Sequence, residues 1–125
     1  MNDLYIEPKR DTPKVDFNSS SGELTIEGQS FPESSSDFFS PVIKWIEQFS
    51  KHENRDITLN FKLTYFNTSS SKAILDILDI LDDQYADGKK PVINWYYEKD
   101  DEDIKESGEE FAEDIEFTFN ILEKN

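Results

Sequence analysis

No cysteine occurs in these 125 residues, which excludes disulfides, thiolate nucleophiles and thiolate-bound metals from the chemistry of the chain. Histidine occurs once, as His52, flanked by Lys51, Glu53 and Asn54, where a solvated loop residue is expected. The four glycines form no Gly-rich phosphate loop, and no nucleophile-elbow pattern is present. No stretch approaches the ~20 apolar residues that span a bilayer. The start, Met1-Asn2-Asp3-Leu4-Tyr5-Ile6-Glu7, lacks the basic beginning and apolar run of a secretory signal. The expectation is a soluble, cytoplasmic protein. Basic residues are also scarce, 13 against 28 acidic, for a net charge of −15. Such a surface repels nucleic acid and anionic membranes and suits a basic partner.

What is present is bulk. Hydrophobic residues make up only 35% of the chain, but ten Phe, five Tyr and two Trp supply enough burial to oppose disorder. The length suits one domain over residues 1–125 with a modest core. Lys14 to Phe17 and Glu23 to Glu27 alternate around Asn18-Ser19-Ser20-Ser21-Gly22, a β-hairpin pattern. Leu4 to Glu7 adds a short edge strand ended by Pro8. Ser34 to Asp37 offer caps for a helix starting near Ser36, with Phe38, Val42, Trp45, Ile46 and Phe49 along one side and Pro41 inside its early turns.

The most informative stretch is Tyr65-Phe66-Asn67-Thr68-Ser69-Ser70-Ser71-Lys72. Before it, Ile57, Leu59, Phe61, Leu63 and Tyr65 alternate with polar residues, as in a half-buried strand. After it, Ile74, Ile77, Leu78, Leu81 and Tyr85 recur at helical spacing, from about Ser69 to an end at Ala86-Asp87-Gly88. A hydroxyl-rich turn therefore opens a helix, whose first N–H groups lack internal partners and tolerate negative charge. Locally, Asn67 or Thr68 serves as a cap; functionally, the turn suits a phosphorylation switch. Lys72, Asp76, Asp79 and Asp83 form a polar stripe on the same helix.

Pro91 to Tyr97 follows as a strand, then a third helix from about Asp103 to Asp114, in which Gly108 is a weak point, and a last strand from Phe117 to Ile121. The order predicts an α/β fold with a mixed sheet. Because the strand from Ile57 to Tyr65 keeps a polar face, the three helices are expected mainly on one side. Leu59, Phe61, Leu63, Ile77, Leu78, Leu81 and Trp95 are the expected core.

A small one-sided α/β domain with a hydroxyl at a strand-to-helix turn resembles the STAS domains of bacterial anti-sigma-factor antagonists. Those carry Asp before the phosphorylated residue, whereas Asn67 precedes Thr68 here. That departure, with Thr12-Pro13, Gly28-Gln29-Ser30-Phe31-Pro32-Glu33, Tyr65 to Ser70 and Asn94-Trp95-Tyr96-Tyr97, is similar to the SiaC-type regulatory phosphoproteins over essentially the whole chain. The resemblance implies a STAS-like domain that is no enzyme and needs no cofactor. It implies a partner switch: a kinase phosphorylates Thr68, a phosphatase restores it, and the unphosphorylated form activates a partner, a diguanylate cyclase. Asn67, Thr68, Ser69, Ser70, Lys72, Asp76 and Asp79 are the expected contact residues.

The rival reading lies in the acidic segment. Between Glu98 and Glu116 there are 11 acidic residues against 2 basic ones. Asp100, Asp101 and Asp103 there are assigned to steering a basic partner; the alternative is a divalent-cation-dependent enzyme or a cation-binding protein. The segment lacks the spacing of a calcium-binding loop.

Overall fold

The computed structural model of the chain describes residues 1–124. Asn18 reverses the first hairpin, its side-chain oxygen accepting the N–H groups of Ser20 and Ser21 at 2.9 and 3.0 Å. The hairpin joins β2 (Lys14–Phe17) to β3 (Glu23–Ser30), and β1 (Leu4–Ile6) pairs antiparallel with β2. Three crossovers follow: α1 (Ser35–His52) to β4 (Thr58–Phe66), α2 (Thr68–Ala86) to β5 (Val92–Tyr97), and α3 (Glu102–Ala112) to β6 (Thr118–Glu123). The six strands lie in sequence order, and β3 to β6 are mutually parallel.

Parallel crossovers share one hand. When each also steps one strand in the same direction, all the intervening helices fall on one face. The sheet is therefore two-sided in character. Leu59, Phe61, Leu63, Ile93 and Trp95 are buried with Ile46, Phe49, Ile77, Leu78, Leu81 and Ile104 from the three helices. All seven residues expected in the core are in it. On the other face Asn60, Asn94 and Asn120 stand in register on β4, β5 and β6. Their amides chain together: Asn120 Nδ2 donates to Asn94 Oδ1 at 3.0 Å, and Asn94 Nδ2 to Asn60 Oδ1 at 2.9 Å. Asn60 passes its own N–H on to Glu23 Oε1 at 2.7 Å.

Several expectations need correction. Tyr65 is 51% exposed, although it continues the apolar alternation of β4. The cause is a bulge: Gly28 pairs with Leu63 but Gln29 pairs with Tyr65, so Thr64 is an extra residue on β4. One extra residue turns every later side chain to the opposite face. Phe66 then points inward, edge-on to Trp95 at 5.9 Å. Tyr85 is 41% exposed, and the inward position on α2 is taken by Gln84, which bonds Ser50 on α1. On α1, Phe39 is buried while Phe38 is half-buried. Ser34 caps this helix, and Pro41 lies inside it.

Gly108 is no weak point. It is buried against the Trp95 indole, and a Cβ there would clash with the ring's Cδ1, Nε1 and Cγ atoms. Trp95 Nε1 also donates to the Ile104 carbonyl at 2.8 Å, so α3 is drawn onto the ring by its backbone. Among the described residues no helix is long and apolar enough to cross a membrane.

Gly108→Ala separates helix propensity from packing. Alanine favours a helix by about 1 kcal/mol over glycine, but overpacking costs roughly 1–3 kcal/mol. The variant should unfold at lower urea than the parent, whereas Leu78→Ala should lose about 2–5 kcal/mol by cavity formation. Urea titrations followed by tryptophan fluorescence test both; a Gly108→Ala protein more stable than the parent would mean α3 does not sit on Trp95 in solution.

Candidate functional site

The hydroxyl turn lies where three segments meet. The end of β3 runs beside the end of β4, with Ser30 opposite Phe66. The Ser30 carbonyl accepts the Asn67 N–H at 3.0 Å and the Ser70 hydroxyl at 3.1 Å. The hydroxyls of Ser30 and Ser70 lie 2.7 Å apart, and both residues are buried. This polar staple fixes the first turn of α2 to the neighbouring strand. Phe31 packs edge-on to Tyr65 at 5.9 Å, and the Phe31 N–H bonds the Asp11 carbonyl at 2.8 Å. Gly28, at φ +119°, faces Pro13. Residues 11–13, 28–31 and 65–70 therefore form one assembly, although they are scattered along the chain.

Capping falls to Asn67. Its side-chain oxygen accepts the Ser70 N–H at 3.0 Å and the Ser69 hydroxyl at 3.2 Å. Thr68, the first residue of α2, is exposed and is not used as the cap. Ser69 is exposed beside it. Ser70 was expected at a partner contact, and here a correction is needed: it is fully buried, and its hydroxyl holds β3. It can shape the surface only from beneath.

Further along α2 the polar stripe divides. Lys72 and Asp76 form an exposed ion pair at 3.7 Å and, with Ser69, border an apolar groove towards Phe39 and Ile43 of α1. Asp79 belongs instead to a groove between α2 and α3, where Asp82, Glu110 and Asp114 surround Phe66, Phe111 and Ile115. Leu75 lines this second groove and is 49% exposed. It lies outside the arc of Ile74, Ile77, Leu78 and Leu81, and that phase was the available signal for it. Ser30 had no such signal, since its role depends on a contact 40 positions away.

The family model for SiaC family regulatory phosphoproteins matches residues 6–124. The chain belongs to the SiaC family. It is 39% identical over 121 residues to an uncharacterised protein of Pseudomonas aeruginosa strain UCBPP-PA14, covering 97% of this chain and 96% of that one. The apo crystal structure of SiaC from Pseudomonas aeruginosa superposes with a TM-score of 0.92 at 38% identity, covering 98% of this chain and 99% of that one. The crystal structure of the diguanylate cyclase SiaD in complex with its activator SiaC, also from Pseudomonas aeruginosa, gives a TM-score of 0.95 at 38% identity. The match covers 98% of this chain and 100% of the matched chain. The mixed six-stranded sheet with three helices is thus the SiaC fold.

In this SiaC-family chain the acidic segment divides by role. Asp101 caps α3, its carboxylate accepting the Ile104 N–H at 3.1 Å. It is therefore committed to the fold, whereas Asp100 and Asp103 are exposed. Asp100 and Asp101 border a shallow surface with Glu98 and Lys99, separate from both grooves of α2. Among the described residues no three His, Asp or Glu side chains are grouped to hold a metal ion. The rival cation-site reading therefore has no clustered donor set behind it.

Burial raises the pKa of Asp82, and the nearby charges of Asp79, Glu116 and Asp83 raise it further. A carboxyl whose pKa rises on folding favours the fold when protonated. That contribution is complete below the unfolded value and is lost as pH rises through the folded one. At neutral pH the charge is thus a burden. Asp82→Asn should raise the melting temperature at pH 7, and the gain should shrink as pH falls to about 4, near the ordinary aspartate range. Equal gains at both pH values would rule out the charge as the cause.

The staple is testable separately. Removing the Ser70 hydroxyl leaves buried groups of Ser30 short of a partner, so Ser70→Ala should cost about 1–3 kcal/mol. Asn67→Ala should cost roughly 0.5–2 kcal/mol through loss of the cap. Chemical denaturation measures both; a neutral Ser70→Ala would show that the hydroxyl pair does not hold the turn.

Proposed function

We propose that this protein is a regulator without catalytic activity of its own, which binds and activates a diguanylate cyclase and is switched by phosphorylation of Thr68. The observation that carries the reading is its likeness, over 98% of the chain, to the SiaC-containing complex in which SiaC is the activator of SiaD. The family's description as regulatory phosphoproteins supports a phosphate switch. Within the chain, Thr68 suits that role because it is exposed at the start of α2 while Asn67 does the capping. A protein kinase would add the phosphate and a phosphatase would remove it. A cytoplasmic setting goes with that role.

Phosphate on Thr68 adds about −1.5 to −2 charges and three acceptor oxygens. The helix start favours that charge by roughly 0.3–1 kcal/mol, so the fold stays intact. Lys72 lies four residues on, one turn away on the same side of the helix. Among the described residues its ammonium pairs only with Asp76, at 3.7 Å on an exposed surface. A phosphate draws Lys72 away and leaves the Asp76 carboxylate free. A partner seated on Thr68, Ser69 and Lys72 then meets a dianion and an unpaired carboxylate, both costly to desolvate. Asp79, on the neighbouring groove, extends the same surface; Asp100 and Asp103 contribute long-range attraction for a basic partner.

The test uses the diguanylate cyclase from the same source that is most similar to SiaD. Cyclase turnover and binding are measured with unmodified, Thr68-phosphorylated and Thr68→Ala protein. Unmodified and Thr68→Ala proteins should both activate the cyclase, and phosphorylation should weaken binding by two orders of magnitude or more. Equal activation by all three forms would remove Thr68 from the switch. No activation by any form would remove the cyclase.

A further inference from the structure

The sheet ends in two edges of opposite character. β1 is three residues long and is followed by Pro8, which is how an edge is made a poor template for pairing. β6 has none of these protections. It runs for six residues in unbroken register with β5, with no bulge and no proline, and no charge before Glu123. The Lys124 N–H reaches the Tyr97 carbonyl on β5 at 2.8 Å. In a parallel pair such inward bonding recurs at every second residue. The backbone groups of Thr118, Asn120 and Leu122 therefore turn to β5, and those of Phe119, Ile121 and Glu123 turn outward.

We propose that the β6 edge receives an extended, basic segment of a partner protein as an added strand. Three features select that occupant. Open backbone groups at every second residue call for an extended chain. Phe119 and Ile121, although on the core side of the sheet, are only half-buried at this last strand. Apolar residues at alternate positions of an added strand would complete their cover. Beside this edge α3 packs on β5 and β6, with Glu106 and Glu109 exposed on it and Glu113 exposed just after its end. Lysine or arginine between the apolar residues, or flanking them, matches that charge. A second copy of this chain fits less well, because it would set two acidic α3 helices side by side and bring together two net charges of −15.

The site is independent of Thr68, which belongs to α2. The probe is a fluorescein-labelled nine-residue peptide alternating valine with lysine, followed by anisotropy. Three controls accompany it: glutamate in place of lysine, the same residues in scrambled order, and N-methylation at every second residue. The alternating lysine peptide should bind at least tenfold more tightly than each control. Ile121→Pro removes one outward N–H and should weaken binding at least tenfold, whereas Ile121→Val and Thr68→Ala should retain it. Circular dichroism checks the fold, and the N-methylated peptide decides the matter if Ile121→Pro does not fold. Equal binding of the scrambled or N-methylated peptide would reduce the effect to charge alone and overturn the added strand. So would a dimer of the protein itself, seen by sedimentation and dissolved by Ile121→Pro.

Discussion

Three crossovers that share one hand and step one strand at a time in the same direction leave the helices no choice of side. Everything else in this molecule depends on that constraint. It places α1, α2 and α3 together over one face, where Phe61, Leu63 and Trp95 meet them. It leaves the opposite face bare, so the strands there carry a chain of asparagine amides in place of a second apolar layer. It also brings the starts of all three helices to the carboxyl edge of the parallel strands, which puts Thr68 and the acidic loop before α3 along the same rim.

Trp95 is the pivot of the second half. Its ring is surrounded by Phe61, Phe66, Phe111 and Phe119, its N–H holds the Ile104 carbonyl, and its face admits α3 only because residue 108 has no side chain. An acidic helix with few apolar residues is anchored on that ring through Gly108, Ile104 and Phe111. The staple of Ser30, Asn67 and Ser70 does the corresponding work for α2, by polar contacts. The two devices meet at Phe66, which the bulge in β4 turns towards Trp95. Fixing the start of α2 to β3 in this way suits the switch proposed at Thr68, in which charge would change while the backbone stays in place.

The surface around α2 is where the candidate site lies. The two grooves flanking α2 differ in kind. The one against α1 is apolar and bordered by the Lys72–Asp76 pair, whereas the one against α3 has a rim of carboxylates that repel one another. Thr68 lies at the head of the helix that forms a wall of both, so the phosphate proposed there would add its charge beside either groove.

Periodicity and punctuation settled much from the sequence alone. The switch from period two to helical spacing at Asn67 placed β4 and α2 within a residue or two, because local sterics and capping act over three or four positions. The polar side of β4 announced a sheet covered on one face, since burial reads directly as alternation. The family, too, was legible in residues 28–33 and 65–70. Only the tertiary structure decided which side chains lie inside where two elements meet. Tyr65 and Phe66 exchange places through a one-residue bulge that no local pattern reveals, and Gln84 takes an inward position because Ser50 waits across the helix pair. Ser70 looked like surface and proved to be the buried half of a contact with Ser30, while Gly108 looked like a flaw and proved to be the space for Trp95. Such roles are properties of pairs distant in sequence, and a single chain read along its length holds the residues of a pair without the distance between them.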